Sequence, residues 1–221
     1  MRAEGHIVNH LPIDAGRDAT PIRLFKSDFL EFFTHISPIT VIALWLPIAV
    51  GFLLIAARGT GAGRPGVFIP FGFFLGLFLW TLAEYTLHRF LFHYKPRTAR
   101  QERIFFLFLG IHHAQPQVKT RLVMPFPVSI PMALVLYALI YIVVALLLGS
   151  PQWVAPLMSG FLIGYLAYDL THYATHHWPM RSGVMKYLKR YHMQHHFKTP
   201  QARFGVSSPL WDVVFRTKPA G

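Results

Sequence analysis

The chain has no cysteine and very few acids. Its 221 residues include nine Asp or Glu, and only 14% are charged at all. Without thiols there is no disulfide, no thiolate zinc site, no iron–sulfur cluster and no cysteine nucleophile, so any metal must be held by nitrogen or oxygen. A soluble domain ordinarily carries about a quarter charged residues. The shortage here argues against a surface solvated on all sides. Internal repeats, low-complexity tracts and a second domain are also missing from the pattern. Residues 1–35, with Arg2, Arg17, Arg23 and Lys26, lack the short apolar core of a cleavable signal peptide and read as a polar N-terminal segment.

What is present is apolar: 53% of residues are hydrophobic and the mean hydropathy is +0.40. Four runs, 36–57, 67–87, 125–148 and 152–171, reach the roughly 20 residues needed to cross a bilayer as a helix. The expected fold is an all-α integral membrane protein of four transmembrane helices. Lys and Arg number four before the first run, two after it (Arg58 and Arg64), seven between the second and third, none between the third and fourth, and eight after the fourth. The positive-inside rule then puts both termini and the 88–124 segment in the cytoplasm. On this pattern the net charge of +12 reflects topology and anionic headgroups, and nucleic acid is not an expected partner. Residues 102–109 are aromatic and too short to span, so they read as an interfacial or re-entrant helix. Residues 181–197 alternate basic and apolar side chains as an amphipathic helix under the membrane does.

Ten of the thirteen histidines lie between 88 and 196 in four clusters: His88 and His93; His112 and His113; His172, His176 and His177; His192, His195 and His196. On the expected topology every cluster reaches one cytoplasmic rim, as a histidine-rich cap. Neutral imidazole is the commonest transition-metal ligand. Residues three and four apart share a helix face, so His172 pairs with His176, and His192, His195 and His196 point one way. His88 and His93, five apart, diverge on an ideal helix; they suit a helix ending between them or two different metals. Adjacent His112 and His113 diverge too. Two metals sharing about nine imidazoles is the simplest arithmetic, with His177 as a possible extra ligand. His6, His10 and His35 read as solvated or hydrogen-bonded. Glu84, one turn before His88, and Asp169, three residues before His172, are the carboxylates placed to orient ligands, as the outer nitrogen of a bound imidazole requires. For Glu84 the competing reading is a rim carboxylate paired with Arg89. An all-nitrogen set suits iron, zinc or copper; a hydrolytic zinc site needs only three protein ligands, so nine favour a paired-iron oxygenase, with zinc able to occupy the site in purified protein.

The motifs HRFLFH, GIHH, YDLTHYATHH and YHMQHH resemble the histidine boxes of the fatty acid hydroxylase and sterol desaturase superfamily. The likeness is strongest to its fatty acid 2-hydroxylases, which act on sphingolipid acyl chains, and extends to EYTLHRFLFH, RLVMPFP, GYLAYDLTHY and FGVSSPLWDVVFRT, over roughly residues 70 to 217. The resemblance implies a four-span domain over residues 36–221, capped by a cytoplasmic site for two iron ions. It implies His88, His93, His112, His113, His172, His176, His192, His195 and His196 as ligands. One departure stands out: the second box of that branch reads HGxHH, and Leu109 occupies its first position. Nothing in residues 1–35 resembles the haem motif of the cytochrome b5 domain carried by many relatives, so electrons are expected from a separate ferredoxin or cytochrome and its reductase.

The implied reaction is mono-oxygenation of a lipid acyl chain at C2, with O2 as co-substrate. Phe90, Phe92, Tyr94, Phe126 and Trp211 are candidates to line the acyl approach or to anchor at the interface. Two alternatives stay open: a carotenoid or sterol hydroxylase or desaturase with the same boxes, and a membrane protein that binds or transports metal without catalysis.

Overall fold

The computed structural model describes residues 21–59 and 67–219. Among them all regular structure is helical. Ser27 ends an extended segment and caps α1 (Asp28–Phe32), its hydroxyl accepting from Leu30 N. α2 (Pro38–Gly59) follows, its first turn tied by hydroxyl contacts between Ser37 and Thr40. α3 (Phe68–Thr86) runs on without a break into a π-helical stretch, Leu87–Phe92. α4 (Ala99–Phe105), capped by Thr98, passes through a second π stretch, Phe106–Gly110, into the short α5 (Ile111–Ala114). A single 3-10 turn, Lys119–Arg121, leads to α6 (Phe126–Ile140), which a third π stretch carries to Leu147. Gly149, at φ 59°, makes the turn into Pro151–Trp153 and α7 (Val154–His177). α8 (Gly183–Phe197) and α9 (Leu210–Val214) complete the chain.

Four helical stretches are long and apolar enough to cross a membrane: Pro38–Gly59, Phe68–Phe92, Lys119–Leu147 and Pro151–His177. These are the four runs expected from hydropathy. The fourth extends beyond the sequence estimate because the polar turn from His172 to His177 stays helical. The expected segment at 102–109 is two short elements, α4 and a π stretch, and 181–197 is α8.

α7 is the central post, most of its apolar stretch buried, whereas none of the third span's is. The reason is visible at its contact with α3. Gly72 and Gly76 on one helix, and Gly160 and Gly164 on the other, repeat at four-residue spacing, the pattern that lets membrane helices approach backbone to backbone. A Cβ on Gly76 would stand 2.1 Å from the Leu157 carbonyl oxygen, and one on Gly160 1.8 Å from that of Phe73. Beside this seam Trp80 meets Phe161 and Tyr165 edge to face at 5.1 and 5.3 Å, and Tyr165 meets Trp45 of α2 at 5.7 Å. The effect is to fix the cap-facing ends of α3 and α7, which carry His88, His93, His172 and His176, at a set separation.

Candidate metal centre

Nine imidazoles gather in two groups at that end of the bundle. His112, His172, His176, His192 and His196 form one; His88, His93, His113 and His195 form the other. In each, one ring nitrogen per residue lies within 4.8 Å of all the others. Local backbone explains the division. The π stretch Leu87–Phe92 closes i to i+5 bonds, with His93 N donating to His88 O at 3.1 Å, so residues five apart come onto one face. His88 and His93 therefore meet in the same group, Nε2 to Nε2 at 3.2 Å, instead of diverging. His112 and His113 diverge as adjacent residues do and serve different groups. On α8, His192 and His196 share a group one turn apart, at 3.0 Å, while His195 turns to the other and stands 3.0 Å from His93.

Five of the nine rings are buried and four partly so, which favours their neutral form. Burial first, and His195 second, hold His93 down at about 3. His112, His113, His192, His195 and His196 are likewise below their ordinary range, burial being the largest cause in each. The hydrogen bonds then show what the nitrogens can hold. His88 Nδ1 donates to the Phe204 carbonyl at 2.5 Å and His195 Nδ1 to that of Ala202 at 2.6 Å. A carbonyl only accepts, so both residues present lone pairs at Nε2. Both lone pairs face His93 Nε2, whose single proton satisfies at most one of them. A cation between the three satisfies all. In the larger group the Nε2 atoms run His172–His112–His196–His192–His176 at 3.0, 2.9, 3.0 and 2.9 Å. With a metal–nitrogen bond of about 2.1 Å, ligands at right angles stand roughly 3.0 Å apart and tetrahedral ones roughly 3.4 Å. The donor set fits metal ions with ligands at right angles.

Neither of the carboxylates expected to orient these rings hydrogen-bonds one. Glu84 does not touch His88, nor Arg89, which donates to Tyr85 OH at 2.7 Å. It accepts from the N–H groups of Val206 and Ser207 at 2.7 and 2.8 Å and from the Ser207 hydroxyl. Asp169 does not touch His172; it accepts from Met124 N at 3.2 Å and Tyr165 OH at 3.3 Å. Asp212, fully buried, is the acid that sequence reasoning passed over. It accepts from Phe204 N at 2.9 Å, Gly205 N at 2.7 Å and the Thr217 hydroxyl at 2.7 Å. Glu84 and Asp212 together fold residues 202–207 so that two carbonyls reach the imidazoles. Arg203, at φ 60°, sits between those carbonyls and turns both inward. A polar stretch beyond the last apolar run gives no such signal in sequence, since the partners of a folded turn are set by packing.

A cavity of about 300 Å³ opens against His112 and His172 of the larger group. Its walls are Phe92, Met124, Tyr168 and Asp169 from the body, and Leu24, Phe25, Leu30 and Phe33 from the segment before the first span. Of the residues expected on an acyl approach, Phe92 lines this cavity. Phe126 packs on the bundle core, and Phe90 and Tyr94 are exposed, with the Arg89 guanidinium 5.0 Å from the Phe90 ring. Trp211 donates to the Thr81 hydroxyl at 2.9 Å and stacks on Phe215. Phe90, Tyr94 and Trp211 point away because the π turn and α9 aim them at the bundle exterior or its flank, and Phe126 turns into the core instead. His177 packs against Tyr173 and belongs to neither imidazole group among the described residues. His35 is hydrogen-bonded, to Thr120 Oγ1 at 2.7 Å. His6, His10 and Arg64, and the Leu109 side chain, lie outside the described residues.

Residues 73–217 match the fatty acid hydroxylase family. The chain belongs to that family. It is 37% identical over 198 residues to the dihydroceramide fatty acyl 2-hydroxylase FAH2 of Arabidopsis thaliana, covering 89% of this chain and 80% of that one. It is 36% identical over 211 residues to the ceramide very long chain fatty acid hydroxylase SCS7 of Saccharomyces cerevisiae, covering 94% of this chain and 52% of the yeast protein. Against the rat fatty acid 2-hydroxylase the identity is 36% over 218 residues, covering 90% and 57%. The visible hydroxylase domain of Scs7p superposes with a TM-score of 0.79 at 37% identity, over 87% of this chain and 70% of that chain. Within the fatty acid hydroxylase family, four membrane-length helices beneath a histidine-rich cap make this an integral membrane protein.

Proposed function

We propose that this protein hydroxylates C2 of a membrane lipid's fatty acyl chain at a pair of iron ions, with dioxygen as co-substrate. The observation that carries the reading is the shared wall: His112 and His172 belong at once to an imidazole group and to the lining of an apolar cavity. The similarity to fatty acyl and fatty acid 2-hydroxylases supports the choice of substrate and carbon. His112, His172, His176, His192 and His196 hold one ion, and His88, His93, His113 and His195 the other. When bound, the ions supply dioxygen activation and cleavage of the C–H bond. The net change is insertion of one oxygen atom into C–H and release of the other as water, consuming two electrons and two protons.

The chain's own residues do the rest. The Ala202 and Phe204 carbonyls fix the His195 and His88 tautomers, and Glu84 and Asp212 hold those carbonyls in place. Apolar walls align the acyl chain and keep bulk water from the reacting carbon. Electrons come from a separate carrier protein, a ferredoxin or cytochrome, on the cytoplasmic side, a reading supported by the basic loops beside the cap. The catalytic unit is residues 36–221 together with the segment from Ile22 that completes the cavity.

Expression in cells whose lipids carry no 2-hydroxyl groups tests this. Wild type is expected to add one oxygen to acyl lipids, placed at C2 by fragmentation, with two iron ions per chain by elemental analysis; His172→Ala is expected to add none. A new double bond instead marks a desaturase, and an unchanged lipidome from expressed, metal-loaded protein overturns the proposal.

A further inference from the structure

The ring stacked on the larger imidazole group is a phenol, and it is the first of four readily oxidised rings in contact. Tyr168 stacks on His172 with centroids 5.8 Å apart. Tyr168 meets Trp80 at 5.7 Å, Trp80 meets Tyr165 at 5.3 Å, and Tyr165 meets Trp45 at 5.7 Å. All four are buried. Among the described residues no other tryptophan and tyrosine rings touch. The smaller group differs. Apart from other imidazoles its rings touch Phe92 and Phe204, and phenylalanine is hard to oxidise. The oxidisable rings thus begin on the side that borders the cavity.

The third ring has a base beside it. Tyr165 OH donates to Asp169 Oδ2 at 3.3 Å, and Asp169 is a buried acid within a span, where an ionisable group is costly. A phenol gives up an electron readily when a neighbouring carboxylate takes its proton. Edge-to-face packing accounts for the rings but does not call for a phenol against an acid. We propose that Tyr168, Trp80 and Tyr165 form an electron relay that draws a stray oxidising equivalent away from the metal centre and parks it on Tyr165. The need arises when dioxygen is activated with no acyl C–H bond in reach. An electron then passes from Tyr165 through Trp80 and Tyr168 to the centre, reducing it by one equivalent. The Tyr165 O–H bond breaks, its proton moves to Asp169, and a neutral phenoxyl radical is left beside a carboxylic acid. An electron from the carrier protein and the return of that proton restore both. Met124, on the cavity wall with His112 and His172, is thereby kept from oxidation to its sulfoxide. The relay rests on the hydroxylation reading for its oxidant, but its path can be read without metal.

Flash photolysis of metal-free, full-length protein in nanodiscs reads the path. A laser pulse ionises tryptophan, and transient absorption follows the radical as it moves to tyrosine. Wild type is expected to show a fast conversion. Tyr165→Phe, which removes one hydroxyl and keeps the ring, is expected to lose at least half of its amplitude. Asp169→Asn leaves the phenol proton without a base and is expected to slow the conversion by roughly tenfold or more. Iron-loaded protein in acyl-free detergent, given dioxygen and a reductant, reads the purpose. Wild type is expected to trap a radical whose paramagnetic resonance spectrum narrows when tyrosine is ring-deuterated. Trp80→Phe is expected to lose that radical and to carry several-fold more Met124 sulfoxide by peptide mass spectrometry, at unchanged iron content. Where Trp80→Phe fails to fold, Tyr165→Phe gives the same two readouts. No fast conversion in wild type, an unchanged one in Tyr165→Phe, or equal Met124 oxidation across wild type and variants overturns the relay. Failure of the hydroxylase reading is distinguishable: absent 2-hydroxylated lipid with the flash conversion intact removes the reaction and leaves the path, and product without the conversion does the reverse.

Discussion

Four imidazoles, His88, His93, His113 and His195, converge on the side of the cap closed by the C-terminal segment. Five, His112, His172, His176, His192 and His196, converge on the side that opens to the cavity. The smaller group is braced from behind: two carbonyls take its Nδ1 protons, and two buried acids hold those carbonyls. The larger group has little of this. The Nδ1 atoms of His112 and His192 are buried without a hydrogen-bond partner, and its order comes from ring packing, His172 against Tyr168 at 5.8 Å among others. The smaller group thus keeps its geometry through backbone hydrogen bonds, the larger through ligand number and contact with the substrate space. A site that must admit a lipid cannot be braced on the face the lipid uses.

The largest expected effect comes from removing one ligand on each side. His195→Ala leaves three imidazoles in the smaller group and deprives His93 of a partner, so purified protein should hold about one metal ion in place of about two. Product should fall by more than the roughly 10–100-fold typical of a supporting residue. His176→Ala leaves four imidazoles in the larger group and should retain more metal than His195→Ala. Elemental analysis and product assay on the same preparations read both. Equal metal loss from the two variants breaks the distinction between the groups.

A smaller and more selective effect is expected at Asp212. Asp212→Asn keeps the shape but replaces one acceptor oxygen with a donor against N–H groups it cannot bond. The turn carrying the Phe204 carbonyl loosens, and metal affinity of the smaller group should fall by roughly 10–100-fold with the larger group unchanged. Chelator competition followed through two phases of metal release measures this. Weakening of both phases alike would show that the two sites share one brace.

The distinction between the groups was only half legible in the sequence. Hydropathy located the four spans, because each apolar run stands alone between polar turns, and the spacing of His172 and His176 placed them on one face. The meeting of His88 with His93 was not legible. It depends on a π-helical closure that propensity does not report, so an ideal-helix wheel sends the two apart. The parting of His195 from His192 and His196 was hidden for a related reason: residues three and four apart share a face, but two groups only a few ångströms apart divide that face between them. The roles of Glu84 and Asp169 were misplaced by reading proximity in sequence as contact, when each carboxylate bonds backbone N–H groups from a distant segment. The α3–α7 seam, by contrast, was open to reading in its paired glycines.

The smallest expected effect sharpens the open side alone. Burial raises the Glu31 carboxyl, but the Phe25 and Leu24 N–H donors and the Arg121 guanidinium outweigh it, so the group lies below its ordinary value of 4.5. A carboxyl lowered on folding contributes stability that is fully present above its unfolded value and is lost as pH falls through the folded one. Acidification below about 4.5 should therefore release residues 22–34 from Arg121 and open the cavity roof. The Ala202 and Phe204 carbonyls, which do not titrate, should keep their hold on the closed side in that step. Hydrogen exchange across a pH series can follow both segments in one experiment. Wild type is expected to lose protection at 22–34 before 202–207, and Glu31→Gln is expected to show low protection at 22–34 that does not change with pH. Simultaneous loss in the two segments, or a pH dependence that survives in Glu31→Gln, would mean that the roof is held by something other than this ion pair.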